Sequence, residues 1–243
     1  MPAVRPRRCL SAARGSADPM MGRRLSKLAA LIAPLTLSFS PATAQESPAA
    51  PAAAPAPVPT EYVYVALTVP QGVITLALDK THAPLTTANY LKYVDSKKMD
   101  GAVFYRAMHF DYDHEQGLLQ GGVRNPANLL PPVAHEPTSK TGIKHVAGTV
   151  SMARFAPGSA TADFLILLTD MTSLNADEGN QGKDPGAGFA AFGHVVSGMD
   201  VVRKIWNAPL SPTKGQGVMK GQILENEVKI VTARRTKAPP TAL

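Results

Sequence analysis

The chain has 243 residues, of which 44% are hydrophobic and 18% charged, and a formal charge of +7. Seven of its 25 Lys and Arg lie in residues 1–44, with one of its 18 Asp and Glu, so residues 45–243 carry only +1. That near-neutral body has no basic stripe for a phosphate backbone, and nucleic acid is excluded as an expected partner.

The basic residues belong to a leader. "MMGRRLSK" (20–27) is a cationic start, and "LAALIAPLTLSF" (28–39) is an apolar run too short to span a bilayer. "ATA" (42–44) is a small-x-small cleavage site. Residues 1–44 therefore read as a secretory signal peptide with an over-long start. Translation is expected to begin at Met20 or Met21, and the mature chain at Gln45. The Arg23-Arg24 pair leaves general and twin-arginine export both open. The single cysteine, Cys9, lies upstream of the cleavage site, so disulfides and thiolate metal sites are not expected in the mature chain. A periplasmic or secreted location follows as an expectation. Residues 45–60 form an Ala/Pro-rich linker with no core-forming pattern.

The folded domain is expected over residues 61–235, with a flexible tail at 236–243. "EYVYVALTV" and "VITLALD" alternate around "PQG", which predicts a hairpin. Residues 83–98 carry apolar side chains at helical spacing, with Pro84 suited to a first turn. "VFYRAM" (103–108) and "GLLQGG" (117–122) read as strands around a polar loop, "HFDYDHEQ". Residues 123–147 read as loop with a short strand near "PPVAHE". "GTVSMAR" (148–154), "FLILL" (164–168) and "FAAFGHVV" (189–196) read as strands, separated by loops that include 169–188. "SGMDVVRKIWN" predicts a short helix and "QILENEVKIVTA" one last strand. Seven or eight strands and two helices without βαβ alternation predict a mainly β fold. An antiparallel barrel closed at its ends by helices fits this pattern best.

Chemistry-bearing residues are few. Arg106 stands among apolar neighbours, either snorkelling from a strand or facing a groove. His109, Asp111, Asp113, His114 and Glu115 are dense enough to suggest a metal, but a solvated loop is the plainer reading. His82, His135, His145 and His194 share no ligand spacing, and Ser151 has no partner at a hydrolase spacing, so both are read as structural. No metal or cofactor is expected.

"VFYRAM…LLQGG", "GTVSMAR", "FLILL" and "FAAFGHVVSGMDVV" together resemble, in order and spacing, the cyclophilin family of peptidyl-prolyl isomerases. The resemblance covers about residues 62–233. It implies an eight-stranded antiparallel barrel with two capping helices, a filled interior and a substrate groove on the outer face. The implied activity is cis–trans isomerisation of X–Pro bonds in the folding of exported proteins, with proline-containing or unfolded polypeptides as partners. A monomer is expected. Arg106 matches the family's catalytic arginine, and Gln120 the glutamine that orients it. Tyr105, Leu118, Ala153, Arg154, Asp163, Leu165, Leu174 and Phe189 match groove positions.

The departures lie in the proline pocket. Leu165 replaces one expected phenylalanine, Gly117 aligns with another, and Ser173 stands where some members carry an indole. Phe110 is the aromatic placed to fold back into the pocket. Asp163 brings a carboxylate near Arg106, which either pairs with it or holds it. The alternative to an active isomerase is a weakly active or inactive proline-peptide-binding chaperone module. A ligand-carrying barrel is disfavoured, because these dense apolar strands imply a filled interior.

Overall fold

The computed structural model describes residues 59–180 and 182–239. The signal peptide, its cleavage site, Cys9 and most of the linker lie outside the described residues. Strands β1 (Tyr62–Val69) and β2 (Gly72–Asp79) make the first hairpin. Helix α1 (Pro84–Asp95) follows, then strands β3 (Val103–Phe110) and β4 (Asp113–Gly122). A one-turn helix α2 (Thr138–Thr141) precedes β5 (Thr149–Met152), β6 (Phe164–Leu167) and β7 (Ala190–Ser197). Helix α3 (Met199–Trp206), β8 (Ile223–Lys229) and β9 (Thr232–Thr236) complete the chain.

The closed eight-stranded barrel expected from the sequence does not form. Nine strands make one open half-barrel that turns through 249° with its edges 9 Å apart. Their order is β8-β3-β4-β6-β5-β7-β2-β1-β9, and every ladder is antiparallel. The cause lies in the run read as one last strand. Ile230 exchanges backbone bonds with the β3 side, accepting from Gly101 (2.8 Å) and donating to Ala102 (2.7 Å). The next residue, Val231, donates to Thr68 of β1 (2.8 Å). The chain thus changes neighbours at Ile230–Val231, and β8 and β9 end up on opposite edges of the sheet.

Two other expectations are corrected. No strand forms at 131–136, where two prolines lack the N–H a ladder needs. The polar stretch 109–116 is mostly strand, with β3 and β4 joined by the tight turn Asp111–Tyr112. Apart from Phe110 and His109, which pack on the outer cluster and on Trp206, the stretch is polar, so no hydrophobic alternation marks it.

Inside the sheet the core is filled. Phe104, Phe164, Phe192, Tyr90, Leu67, Ile74, Leu76 and Leu119 are fully buried. The rings of Tyr90 and Phe164 meet edge to face at 5.5 Å, and those of Phe104 and Phe164 at 5.7 Å. This packing leaves side chains, not a ligand space, in the barrel interior. No helix among the described residues is long and apolar enough to cross a membrane.

Helix α1 has an unusual start. Pro84 occupies its first turn, and Ala83 before it has no side-chain acceptor. The acceptor comes from Glu136, buried and remote in sequence. Its carboxylate takes the backbone N–H of Leu85 (3.2 Å) and Thr86 (2.7 Å) and the Thr86 hydroxyl (2.7 Å). A negative charge there also complements the helix dipole. Replacing Glu136 with Ala should cost about 2 kcal/mol, the sum of a lost cap and donors left buried, as read by denaturant unfolding.

Candidate functional site

The site grows from one irregularity. In the β3–β4 ladder Phe104 pairs with Gly121, but Arg106 pairs with Gln120. Tyr105 is an extra residue on β3, a β-bulge. Strand side chains alternate faces, so without the bulge Tyr105 and Arg106 would point oppositely. With it, Phe104 and Ala107 both face the core, while Tyr105 and Arg106 share the outer face. Gln120 lies outside too, because its neighbour Leu119 points inward.

These side chains are bonded to one another. The Arg106 guanidinium donates from Nη1 to Gln120 Oε1 (2.9 Å). It also donates from Nε (2.9 Å) and Nη2 (2.7 Å) to Gln222 Oε1. Gln120 Nε2 donates to the Tyr105 hydroxyl (2.6 Å), which donates to Asp163 Oδ2 (2.7 Å). Asp163 and Arg106 form no ion pair among the described residues. Burial pushes the Tyr105 phenol up, reinforced by the Asp163 charge. Burial also lowers the Arg106 pKa from its ordinary value and raises that of Asp163.

Gly121 and Gly122 make the close packing feasible. A Cβ on Gly121 would sit 2.8 Å from the Phe104 ring, and one on Gly122 would lie 1.8 Å from Asp163 Oδ1. The second glycine leaves room for the buried carboxylate.

Next to this polar row is an apolar one. Met108 pairs with Leu118, and Leu118 with Leu167, two residues along from Arg106 and Gln120. Leu118, Leu165, Leu167 and Met171 are buried together on the outer face, with Met108, Phe110, Ala153 and Leu174 packed against them. Phe110 therefore folds back into the pocket, stacked on Tyr112 at 5.0 Å. Gly117 cannot supply an aromatic. A Cβ there would come within 1.8 Å of the Met108 carbonyl, which also accepts the Trp206 indole N–H at 3.0 Å. A cavity of about 160 Å³ opens alongside, lined by Tyr105, Gln120, Ala153, Phe155, Asp163 and Met219 among others.

Arg154 and Phe189 have another setting. The Arg154 guanidinium donates to Gly188 O (2.8 Å), Phe155 O (2.9 Å) and Asp184 Oδ1 (3.0 Å), and lies over the Phe189 ring at 5.1 Å. Most of its donors are used to pin the end of the loop beside β5. Phe189 in turn donates its N–H to Leu174 O (2.9 Å), fixing the pocket's rim.

Sequence reasoning misses Gln222, Arg124 and Met171. Gln222 is 116 residues from the arginine it holds, and nothing local marks it. Arg124 lies over the Tyr105 ring at 4.6 Å. Leu167 and Met108, also missed, were within reach of alternation alone, since each stands two residues from an outward neighbour. The His109–Glu115 stretch holds no group of three or more metal-type ligands among the described residues. His109 instead stacks on Trp206 at 3.8 Å.

His145 supports the pocket from beneath. It is fully buried, with Nδ1 bonded to Asn175 Oδ1 (2.9 Å) and Nε2 to Ser151 Oγ (2.8 Å). Its carbonyl accepts from Met171 N (2.9 Å), tying the segment that carries Met171 and Leu174 to the sheet.

Comparison with known proteins gives the family. The family model "Cyclophilin type peptidyl-prolyl cis-trans isomerase/CLD" matches residues 64–235. The chain is similar to peptidyl-prolyl cis-trans isomerase A of Dickeya dadantii, 34% identical over 187 residues, covering 76% of this chain and 85% of the relative. It is similar to a peptidyl-prolyl cis-trans isomerase of Acinetobacter baylyi, 32% identical over 164 residues, covering 67% and 80%. A crystal structure of a cyclophilin type peptidyl-prolyl cis-trans isomerase from Cryptosporidium parvum shares the fold. Its TM-score is 0.56 at 17% identity, over 74% of this chain and all of that one. The chain belongs to the cyclophilin-type peptidyl-prolyl cis-trans isomerase family.

Burial lowers the pKa of His145 below its ordinary 6.5, so the folded state keeps the ring neutral. The unfolded chain takes up that proton as pH falls through 6.5. Stability from this group is therefore complete above that value and lost below it. Unfolding free energies across that range should fall with acid less steeply in His145→Gln than in the parent.

Proposed function

We propose that this chain isomerises X–Pro bonds in polypeptides outside the cytoplasm, with Arg106 stabilising the twisted amide. Amide resonance sets a barrier of roughly 18–20 kcal/mol to rotation about the bond. No bond breaks, so the catalyst has only to bind the twisted form better than either planar one. Twisting frees the prolyl nitrogen's lone pair, and a guanidinium N–H aimed at it stabilises that state selectively.

One observation carries this reading. Arg106 is held by two neutral amide oxygens, Gln120 Oε1 and Gln222 Oε1, rather than by a carboxylate. Three of the five guanidinium N–H groups are used, the charge is not neutralised, and two N–H groups have no partner among the described residues. The fork is therefore both oriented and available. Beside it the Leu118, Leu165 and Phe110 cluster offers an apolar seat for a pyrrolidine ring. Exclusion of water over that seat strengthens the hydrogen bond to the amide nitrogen. The leader in residues 20–44 supports action in an exported compartment, and a chain without cysteine after Cys9 is compatible with an oxidising one.

Cis–trans exchange on an X–Pro peptide, followed by NMR, tests the assignment. Arg106→Ala should lose roughly 100-fold or more in kcat/KM, and Arg106→Lys should recover little, since a lysine lacks the planar fork. Wild-type rates in both would remove Arg106 from the mechanism. Phe110→Ala should lower kcat/KM by roughly tenfold, chiefly through KM, because it removes ring contact without touching the donor.

A further inference from the structure

The Gln120 amide has two ends of similar shape, and only one orientation offers oxygen to Arg106. We infer that Asp163 is a positioning residue for Arg106: its ionised carboxylate, acting through the Tyr105 hydroxyl, fixes the orientation of the Gln120 amide. This rests on Arg106 being the group that acts on the X–Pro bond.

The proton count makes the assignment. The Tyr105 hydroxyl has one proton, and it lies 2.7 Å from Asp163 Oδ2 and 2.6 Å from Gln120 Nε2. An ionised carboxylate only accepts, so the phenolic proton goes to Asp163. The phenolic oxygen is then left as an acceptor, and Gln120 must present its NH2 group to it. The other end of the amide, Oε1, faces Arg106 Nη1 at 2.9 Å. Every donor in the row Arg106–Gln120–Tyr105–Asp163 points the same way.

Protonating Asp163 frees the row to reverse. The carboxylic acid donates to the Tyr105 oxygen, and the phenolic O–H turns to Gln120. The amide, no longer held from that side, can turn its oxygen towards Tyr105 and its NH2 towards Nη1, a state that sets donor against donor. Arg106 keeps its two bonds to Gln222 but loses the second hold that fixes its direction. The cost falls on orientation at the reacting nitrogen, not on the apolar seat.

Several features suit Asp163 to this part. It lines the cavity beside Ala153 and Met219, so solvent protons reach it. It fits there only because Gly122 has no side chain. The groups facing it are Tyr105 from β3, Gln120 from β4, Tyr93 from α1 and Arg124 beyond β4, and Arg154 lines the same cavity. Arg124, over the Tyr105 ring, favours the ionised form, while burial favours the protonated one.

The test is kcat and KM for X–Pro exchange in the full chain, from about pH 8 to about pH 4.5, spanning carboxylate titration. The parent should lose kcat on a one-proton acid limb with KM nearly constant. Asp163→Asn, close in shape, should flatten that limb. Tyr105→Phe should lower kcat roughly tenfold, as expected for losing one strong hydrogen bond's worth of alignment, and should also lack the limb. The Gln120 side-chain amide resonance of the parent should shift with the same midpoint as kcat. An Asp163→Asn protein that keeps the acid limb overturns the inference, as does a Gln120 resonance that does not move with kcat. Should either variant fail to fold, the parent's resonance and rate profile alone decide. If Arg106→Ala retains full activity, the failure lies in the reading of the site, not in the relay.

Discussion

One extra residue on β3 decides which face the chemistry occupies. The Tyr105 bulge lets a strand buried at Phe104 and Ala107 present two adjacent polar side chains outward. Remove it, and strict alternation sends either Tyr105 or Arg106 into a core already filled by Phe104, Phe164 and Leu119. A guanidinium buried there would have to shed its hydration without compensation, which the fold could not sustain. Packing of the core and placement of the arginine are thus the same constraint seen from two sides of one sheet.

The outer face then grades from charge to hydrocarbon. Rows of paired residues run across β3, β4 and β6: Arg106–Gln120–Leu165, then Met108–Leu118–Leu167. The first row is ordered by amides and the second by dispersion. A carboxylate in direct contact with Arg106 would have bound it more tightly and weakened its field. Placing the carboxylate behind a phenol and an amide keeps the geometry without cancelling the charge.

Much of this was legible in the sequence because most strands alternate, and because four blocks stand in a family's order. Those blocks place Arg106 and Gln120 on two strands, where the structure brings them into contact, and Phe110 packs on the Leu118 cluster beside the gap at Gly117. The rest was hidden for physical reasons. Gln222 joins the site through a contact with no local signature. The arms around Asp111–Tyr112 are strands whose sequence is mostly polar, so they read as loop. The final run changes neighbours at Ile230–Val231 while keeping strand-like composition throughout, and the sequence therefore suggested a closed barrel where the sheet is open. Glu136 falls in the stretch read as a short strand near "PPVAHE", and a cap supplied from so far away leaves no motif beside its helix.

That open seam bears on the order in which the molecule is built. The last two strands are the sole ladder partners of β1 and β3 on their outer edges, so both edges stay bare until the C-terminal segment has been synthesised. Gln222, which orients the arginine, arrives with the same segment. During vectorial synthesis, a nascent chain long enough to contain Arg106, Gln120 and the whole apolar seat still lacks the amide that aims the guanidinium. Such long-range pairing is also the slow part of folding for a topology of this kind. A chain of this family completes the hydrogen bonding around Arg106 only when its final strands have covered both exposed edges.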